Sequence, residues 1–189
     1  MDNKPTLAQL EAELARTQHR SRSRRVLGST VCALVVVAAL AVLVATLWMP
    51  VLQIYGSSMA PSLADGEIVV SVKDVHPESG DIIAFYYNNR VLVKRVIGGP
   101  GDWIDLDETG AVSVNGQPLA EPYLTDPAYG EVTIDLPYQV PEDRYFVMGD
   151  HRSVSVDSRN AAIGCVAEDQ IVGRIAFRVW PLGSFGGVT

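Results

Sequence analysis

The chain has 189 residues, 48% of them hydrophobic, with 15 lysines and arginines against 22 aspartates and glutamates, a net charge of −7. That length suits one or two domains, and the apolar content can fill a core, which excludes low-complexity disorder. Two cysteines, Cys32 and Cys165, are too few to staple a scaffold. The charge is unevenly spread: residues 1–25 carry six basic and three acidic side chains, residues 26–49 none, and residues 50–189 nine basic and nineteen acidic. The acidic region would repel phosphate backbones, so the expected partners include no nucleic acid.

In chain order, residues 1–25 form a short basic lead. Thr6-Leu7-Ala8-Gln9 has the form of a capping box, and Leu7, Leu10 and Leu14 repeat at helical spacing, which predicts a short helix. Residues 26–49 follow as an uncharged run that would span about 36 Å as a helix, enough to cross a bilayer core of about 30 Å. Trp48 stands where an interfacial aromatic belongs, and Pro50 ends the helix. Arg16, Arg20, Arg22, Arg24 and Arg25 precede the run, whereas the first basic residue after it is Lys73. The asymmetry predicts a single-pass plasma-membrane protein with a cytoplasmic N-terminus and an extracytoplasmic domain over 50–189. A cleaved export signal is the rival, with Ser23-Arg24-Arg25 hinting at a twin-arginine signal. The run exceeds the roughly 7–15 apolar residues such signals use, and no cleavage site follows it.

Residues 50–189 hold 15 of the 16 glycines and ten of the 11 prolines, the punctuation of a turn-rich, mostly β domain. Strands are predicted near Glu67–Val72, Asp81–Tyr87, Val91–Ile97, Trp103–Leu106, Ala111–Val114, Arg144–Met148 and Ile171–Trp180. Asn115-Gly116 signals a tight turn, and Asn88-Asn89 joins two runs in a hairpin. No amphipathic helical pattern of 10–15 residues interrupts them, so the sheet is expected to be antiparallel. Cys165 reads as a small buried hydrophobe.

Three stretches carry the chemistry. No metal or cofactor site is expected, because His19, His76 and His151 are scattered and neither cysteine has a ligand-spaced neighbour. A Ser-His-Asp triad would need His76 or His151, and Asp150 adjoins His151 too closely to orient it without a sharp turn. A serine–lysine pair fits better. Gly56-Ser57-Ser58-Met59-Ala60-Pro61-Ser62-Leu63 offers a serine among backbone amides that could form an oxyanion hole. Lys94 sits in the apolar strand Val91–Ile97, where alternation sends Lys94 to one face and Arg95 to the other. A desolvated lysine can serve as a base; an edge strand with both charges reaching water is the alternative. Gly149–Arg159 is either a solvated polar loop or a source of supporting hydrogen bonds.

Together these stretches resemble the type I signal peptidases, membrane-bound Ser–Lys proteases that remove signal peptides from exported preproteins. Gly56–Leu63, Lys94–Asp102 and Gly149–Arg159 stand in the family's order, and Ile171–Leu182 resembles its closing strand. The resemblance implies a compact antiparallel β-sheet domain of the signal-peptidase type behind one N-terminal transmembrane helix. It makes Ser58 the nucleophile, Lys94 the general base and Ser155 the hydroxyl that orients the lysine. Backbone groups of Ser58 and Gly56 would form the oxyanion hole, Gly56 standing where some members supply a serine hydroxyl. Asp157 and Arg159 match a structural ion pair, and Arg95, Asp150 and Arg152 supporting polar positions. Ile54, Met59, Leu63 and Leu92 fall where small apolar subsites lie, which implies cleavage after an Ala-x-Ala-like site. His151 stands where asparagine is usual and Ser62 where threonine is. Only 54 residues separate Lys94 from Gly149, so the family's inserted second domain must be small or nearly absent. Exported preproteins and the lipid bilayer are the implied partners. A non-catalytic anchored relative and a dedicated processor of surface-fibre subunits are the rivals; a self-cleaving repressor is disfavoured by the apolar run.

Overall fold

The computed structural model describes residues 27–43, 46, 48–73 and 76–188. The predicted helix of the basic lead lies outside the described residues. Residues 27–43 are helical, as are 46 and 48, in keeping with their run of Ala, Leu and Val. Among the described residues no helix is long and apolar enough to cross a membrane. The chain divides into two compact units, Met1–Leu47 and Trp48–Thr189.

The described residues of the second unit form twelve strands: β1 Val51–Gln53, β2 Ile68–Val72, β3 Ile82–Tyr87, β4 Arg90–Gly98, β5 Trp103–Leu106, β6 Val112–Val114, β7 Gln117–Pro118, β8 Tyr138–Gln139, β9 Arg144–Met148, β10 Val166–Ala167, β11 Ile171–Trp180 and β12 Gly186–Gly187. Eight form one sheet in the order β1-β2-β11-β3-β4-β9-β10, with β12 also paired to β11. The others form a four-stranded sheet, β7-β6-β5-β8, within the stretch between Lys94 and Gly149. The expected insertion is therefore present as a small sheet. Every paired strand runs antiparallel to its neighbour.

Each of the seven predicted runs contains a strand. Both predicted hairpins use residues in the left-handed region: Asn88 (φ 44) and Asn89 (φ 65) join β3 to β4, and Asn115 (φ 54) and Gly116 (φ 76) join β6 to β7. Positive φ at both central positions gives a turn whose twist matches that of the strands it joins.

Side-chain alternation divides the large sheet's core in two. On one face Ile54, Met59, Leu63, Val69, Ile82, Ala84 and Ile175 cluster, with Val93 against them. On the other, Ile83, Phe85, Val96, Tyr145, Val147 and Val166 cluster, with Tyr87 and Leu92. A third cluster joins the small sheet's Ile104, Leu106 and Val112 to Phe146, Met148 and Cys165. Cys165 is thus a packed core residue, and burial raises its thiol pKa to about 11.

The strand that matters most is β4. It pairs with β3 from Arg90 to Arg95, but with β9 only from Arg95 onward. The backbone of Arg90–Lys94 is therefore hydrogen-bonded in the sheet on one side only. β1 likewise has one sheet neighbour, β2.

Candidate active site

The loop carrying Ser58 is closed at its base and pinned from below. Ile54 N–H donates to Glu67 O (2.8 Å), and Gly66 N–H donates to Ile54 O (2.9 Å). Within the loop, Leu63 N–H donates to Met59 O (2.8 Å), closing a turn whose Met59 and Leu63 side chains both enter the core. The neighbouring Ser58 is left half-buried at the surface of that turn. Beneath, Ser62 accepts from Arg95 Nη2 at its hydroxyl (3.1 Å) and from Arg178 Nη2 at its carbonyl (2.5 Å). Arg178 is in turn paired with Glu67 (3.0 Å). Burying Met59 and Leu63 while fixing Ser62 leaves Ser58 little freedom to move.

Lys94 and Arg95 are both buried, 4% and 2% exposed, so the alternative in which both charges reach water is corrected. Ser62 of the Ser58 loop and Asp150 of the Gly149–Arg159 loop both cover Arg95, and Ser155 of the latter meets Lys94. Arg95 is satisfied by a two-pronged bond to Asp150 (2.9 and 2.8 Å), a bond to Gly80 O (2.7 Å) and the ring of Tyr123 at 3.8 Å. Lys94 has a different environment. Its Nζ donates to Ser155 Oγ at 3.0 Å. Desolvation lowers its pKa from 10.5 to about 8, against the opposing pull of Asp157 and with a further push from Arg159.

The Ser155 hydroxyl has one proton, and Asp157, an acceptor, takes it. The Lys94–Ser155 bond must therefore run from the amine to the hydroxyl oxygen. Burial alone would raise the Asp157 carboxyl, but bonds from Arg159, from Gly149 N–H (3.0 Å) and from Ser155 hold it below the usual range. Arg159 meets Asp157 through Nε and Nη2, both at 2.8 Å, and the pair has no solvent-exposed surface. Arg159 also donates to Tyr129 O (2.7 Å) and Arg152 O (2.9 Å), and Arg152 is paired with Glu121. These arginines fasten the Gly149–Arg159 loop to the segment that connects β7 to β8 of the small sheet.

Ser58 and Lys94 line one cleft of about 100 Å³. Its walls include the consecutive residues Leu52–Gly56 on one side and Val91–Lys94 on the other, so it runs along the two strand edges that lack a sheet partner. Of the expected subsite residues, Ile54, Met59 and Leu92 line it. Leu63 does not: it is fully buried and packs in the core with Met59, Val69 and Ile82. The oxyanion role expected of Gly56 is also corrected. Its N–H donates to Asp65 Oδ1 at 2.7 Å and is already taken. The Ser58 N–H donates to no acceptor among the described residues.

Several contributors escape a reading of sequence. Glu67, Arg178, Glu121 and Tyr123 lie far along the chain from the residues they hold, with no local pattern to flag them. Gly149 is another. A Cβ there would lie 2.2 Å from Ser155 Oγ and 2.5 Å from Ser58 O, so only glycine lets the two loops touch. His151 N–H donates to that same Ser58 carbonyl at 3.1 Å. Among the described residues no cluster of His, Cys, Asp and Glu is placed to hold a metal ion.

Residues 27–180 match the family described as "Signal peptidase, peptidase S26". Among curated relatives, signal peptidase IB of Staphylococcus aureus (strain COL) is 41% identical over 152 residues, covering 70% of this chain and 78% of its own length. Signal peptidase I of Bacillus amyloliquefaciens is 36% identical over 162 residues, covering 79% and 83%. A solved structure, that of a signal peptidase I from Enterococcus faecalis V583, is 31% identical with a TM-score of 0.45, covering 52% of this chain and 96% of its own. With a family match across most of its length and relatives at about 40% identity, the chain belongs to the signal peptidases of peptidase family S26.

Proposed function

We propose that this protein is a membrane-bound serine endopeptidase that removes signal peptides from exported preproteins with Ser58 as nucleophile and Lys94 as general base. The observation that carries the reading is a buried lysine of lowered pKa, aimed by Ser155, in the same cleft as an accessible serine. With Ser155 accepting one amine proton, the lone pair of neutral Lys94 is free to take the Ser58 hydroxyl proton as Oγ attacks the scissile carbonyl. The Ser58 N–H stabilises the resulting oxyanion. The protonated amine then gives its proton to the leaving amine, the N-terminus of the mature chain. Lys94 next activates the water that releases the acyl group from the serine.

An extended peptide fits the slot between β1 and β4, where two strand edges offer unused backbone groups. Alternate side chains of such a peptide point the same way, and the small cleft beside Ile54 and Met59 suits alanine at positions −1 and −3. The uncharged run 26–49 supplies the anchor, with residues 50–189 outside the plasma membrane. Exposed Trp48, Met49, Val51 and Tyr55 would meet the bilayer surface, where signal peptides emerge. The test is to incubate the membrane-reconstituted protein with a labelled preprotein and sequence the new N-terminus. Cleavage directly after an Ala-x-Ala-like site is expected; no cleavage, or cleavage elsewhere, contradicts the reading.

A further inference from the structure

A second cleft, about 440 Å³, adjoins the first and shares Leu92 and Lys94 with it. Arg90, Tyr87, Val156 and Ile163 complete its walls. The strand register explains where it lies. Directly paired residues share a face, and the pairs are Tyr87 with Arg90, Phe85 with Leu92 and Ile83 with Lys94. Every strand residue lining the second cleft therefore belongs to the face opposite Val93 and Ile54. The cleft is also built, not incidental: Tyr87 Oη donates to Ala162 O at 2.7 Å, tying the wall near Ile163 to β3. Val156, an apolar residue left half exposed, overhangs it from the loop that holds Ser155.

A peptide laid along the free edge of β4 alternates its side chains between the two faces. If residues −1 and −3 enter the first cleft, residue −2 must turn to the second. We propose that this second cleft is the subsite for the substrate residue at −2, and that Arg90 gives it a preference for an acidic side chain. The inference rests on the reading of the site given above. The cleft exceeds the volume of any one side chain, so size discriminates little there. The Tyr87 hydroxyl is bound to Ala162 O, and the other polar lining residues are Asn88, Lys94, the proposed base, and Arg90, for which no carboxylate partner is found among the described residues. The charge of Arg90 is what distinguishes a glutamate from a lysine.

The experiment uses the full-length protein in vesicles and a series of preproteins that differ only at −2, carrying Glu, Gln, Ala or Lys. In the wild type kcat/KM for Glu should exceed that for Lys by about two- to fivefold, the range of an exposed ion pair. Arg90→Ala should bring the ratio near one, and Arg90→Glu should invert it. Using a ratio cancels any general loss of activity in the variants. A second variant, Val156→Phe, should slow the Gln substrate more than the Ala one. An unchanged Glu/Lys ratio in Arg90→Glu, with all substrates still cleaved after residue −1, overturns the subsite and leaves the parent reading intact. Failure of the wild type to cleave any of the series overturns both.

Discussion

Lys94 is held in a state that suits the role proposed for it and opposes folding. Its pKa in the folded chain, about 8, lies below the unfolded value near 10.5 because burial penalises the charged amine. Between those values the unfolded chain binds the extra proton, so this group makes stability rise with pH, and below pH 8 the folded state carries the full penalty. Replacing Lys94 by Met should therefore raise the melting temperature at pH 7, by up to about 3 kcal/mol of stability, while abolishing cleavage. Calorimetry of both proteins from pH 6 to 10 measures it, and the gain should shrink towards the alkaline end. With the free amine as the proposed base, kcat/KM of the wild type should rise about tenfold per pH unit below 8 and level off above. Ser155→Ala leaves Nζ without its acceptor; kcat should fall about a hundredfold with KM little changed, the loss of aim rather than of binding. The serine and lysine themselves were legible in the sequence, one in a glycine-bounded loop and the other out of place in an apolar strand. The fate of Gly56 was not, because Asp65, nine residues on, takes its amide only once the loop has closed.

The elements around the site explain why its geometry is tight. The Ser58 loop and the Gly149–Arg159 loop meet at Gly149, where a methyl group would strike Ser155 Oγ and Ser58 O. Gly149→Ala should cost about 1–3 kcal/mol, read by denaturant unfolding, and should cripple cleavage by forcing the two loops apart. The Asp157–Arg159 pair is fully buried, and removing one partner leaves an unpaired charge. Asp157→Asn should cost about 3–5 kcal/mol and move the acidic limb of the pH profile downward, because Asp157 is what raises the Lys94 pKa. Strand alternation foretold that Lys94 and Arg95 face opposite ways. It could not foretell that both are roofed over, since that depends on one loop well before them in the chain, Gly56–Leu63, and another well after, Gly149–Arg159. Nor did it foretell β7, β8, β10 and β12, each of two residues and too short to leave a period-two signature. Leu63 shows the converse failure: the resemblance put it in a subsite, whereas the Met59–Leu63 turn, invisible in a Ser/Pro-rich stretch, directs it to the core.

On the scale of the whole molecule, composition separated the chain into a basic lead, an uncharged run and an acidic β domain. The Trp48–Thr189 unit holds every residue assigned to the site. The anchor reading predicts that the protein stays in the membrane pellet after alkaline carbonate extraction. It also predicts that protease added outside intact cells can reach the β domain but not the N-terminal lead. Release into the supernatant would overturn it. The claim on which everything else depends is the Ser58–Lys94 pair, and the most direct measurement is cleavage of one exported preprotein by the wild type, Ser58→Ala and Lys94→Met, each shown by circular dichroism to be folded. The wild type should cleave it after a small residue, and both variants should lose at least about a hundredfold in kcat/KM. Wild-type activity in either folded variant would contradict the account.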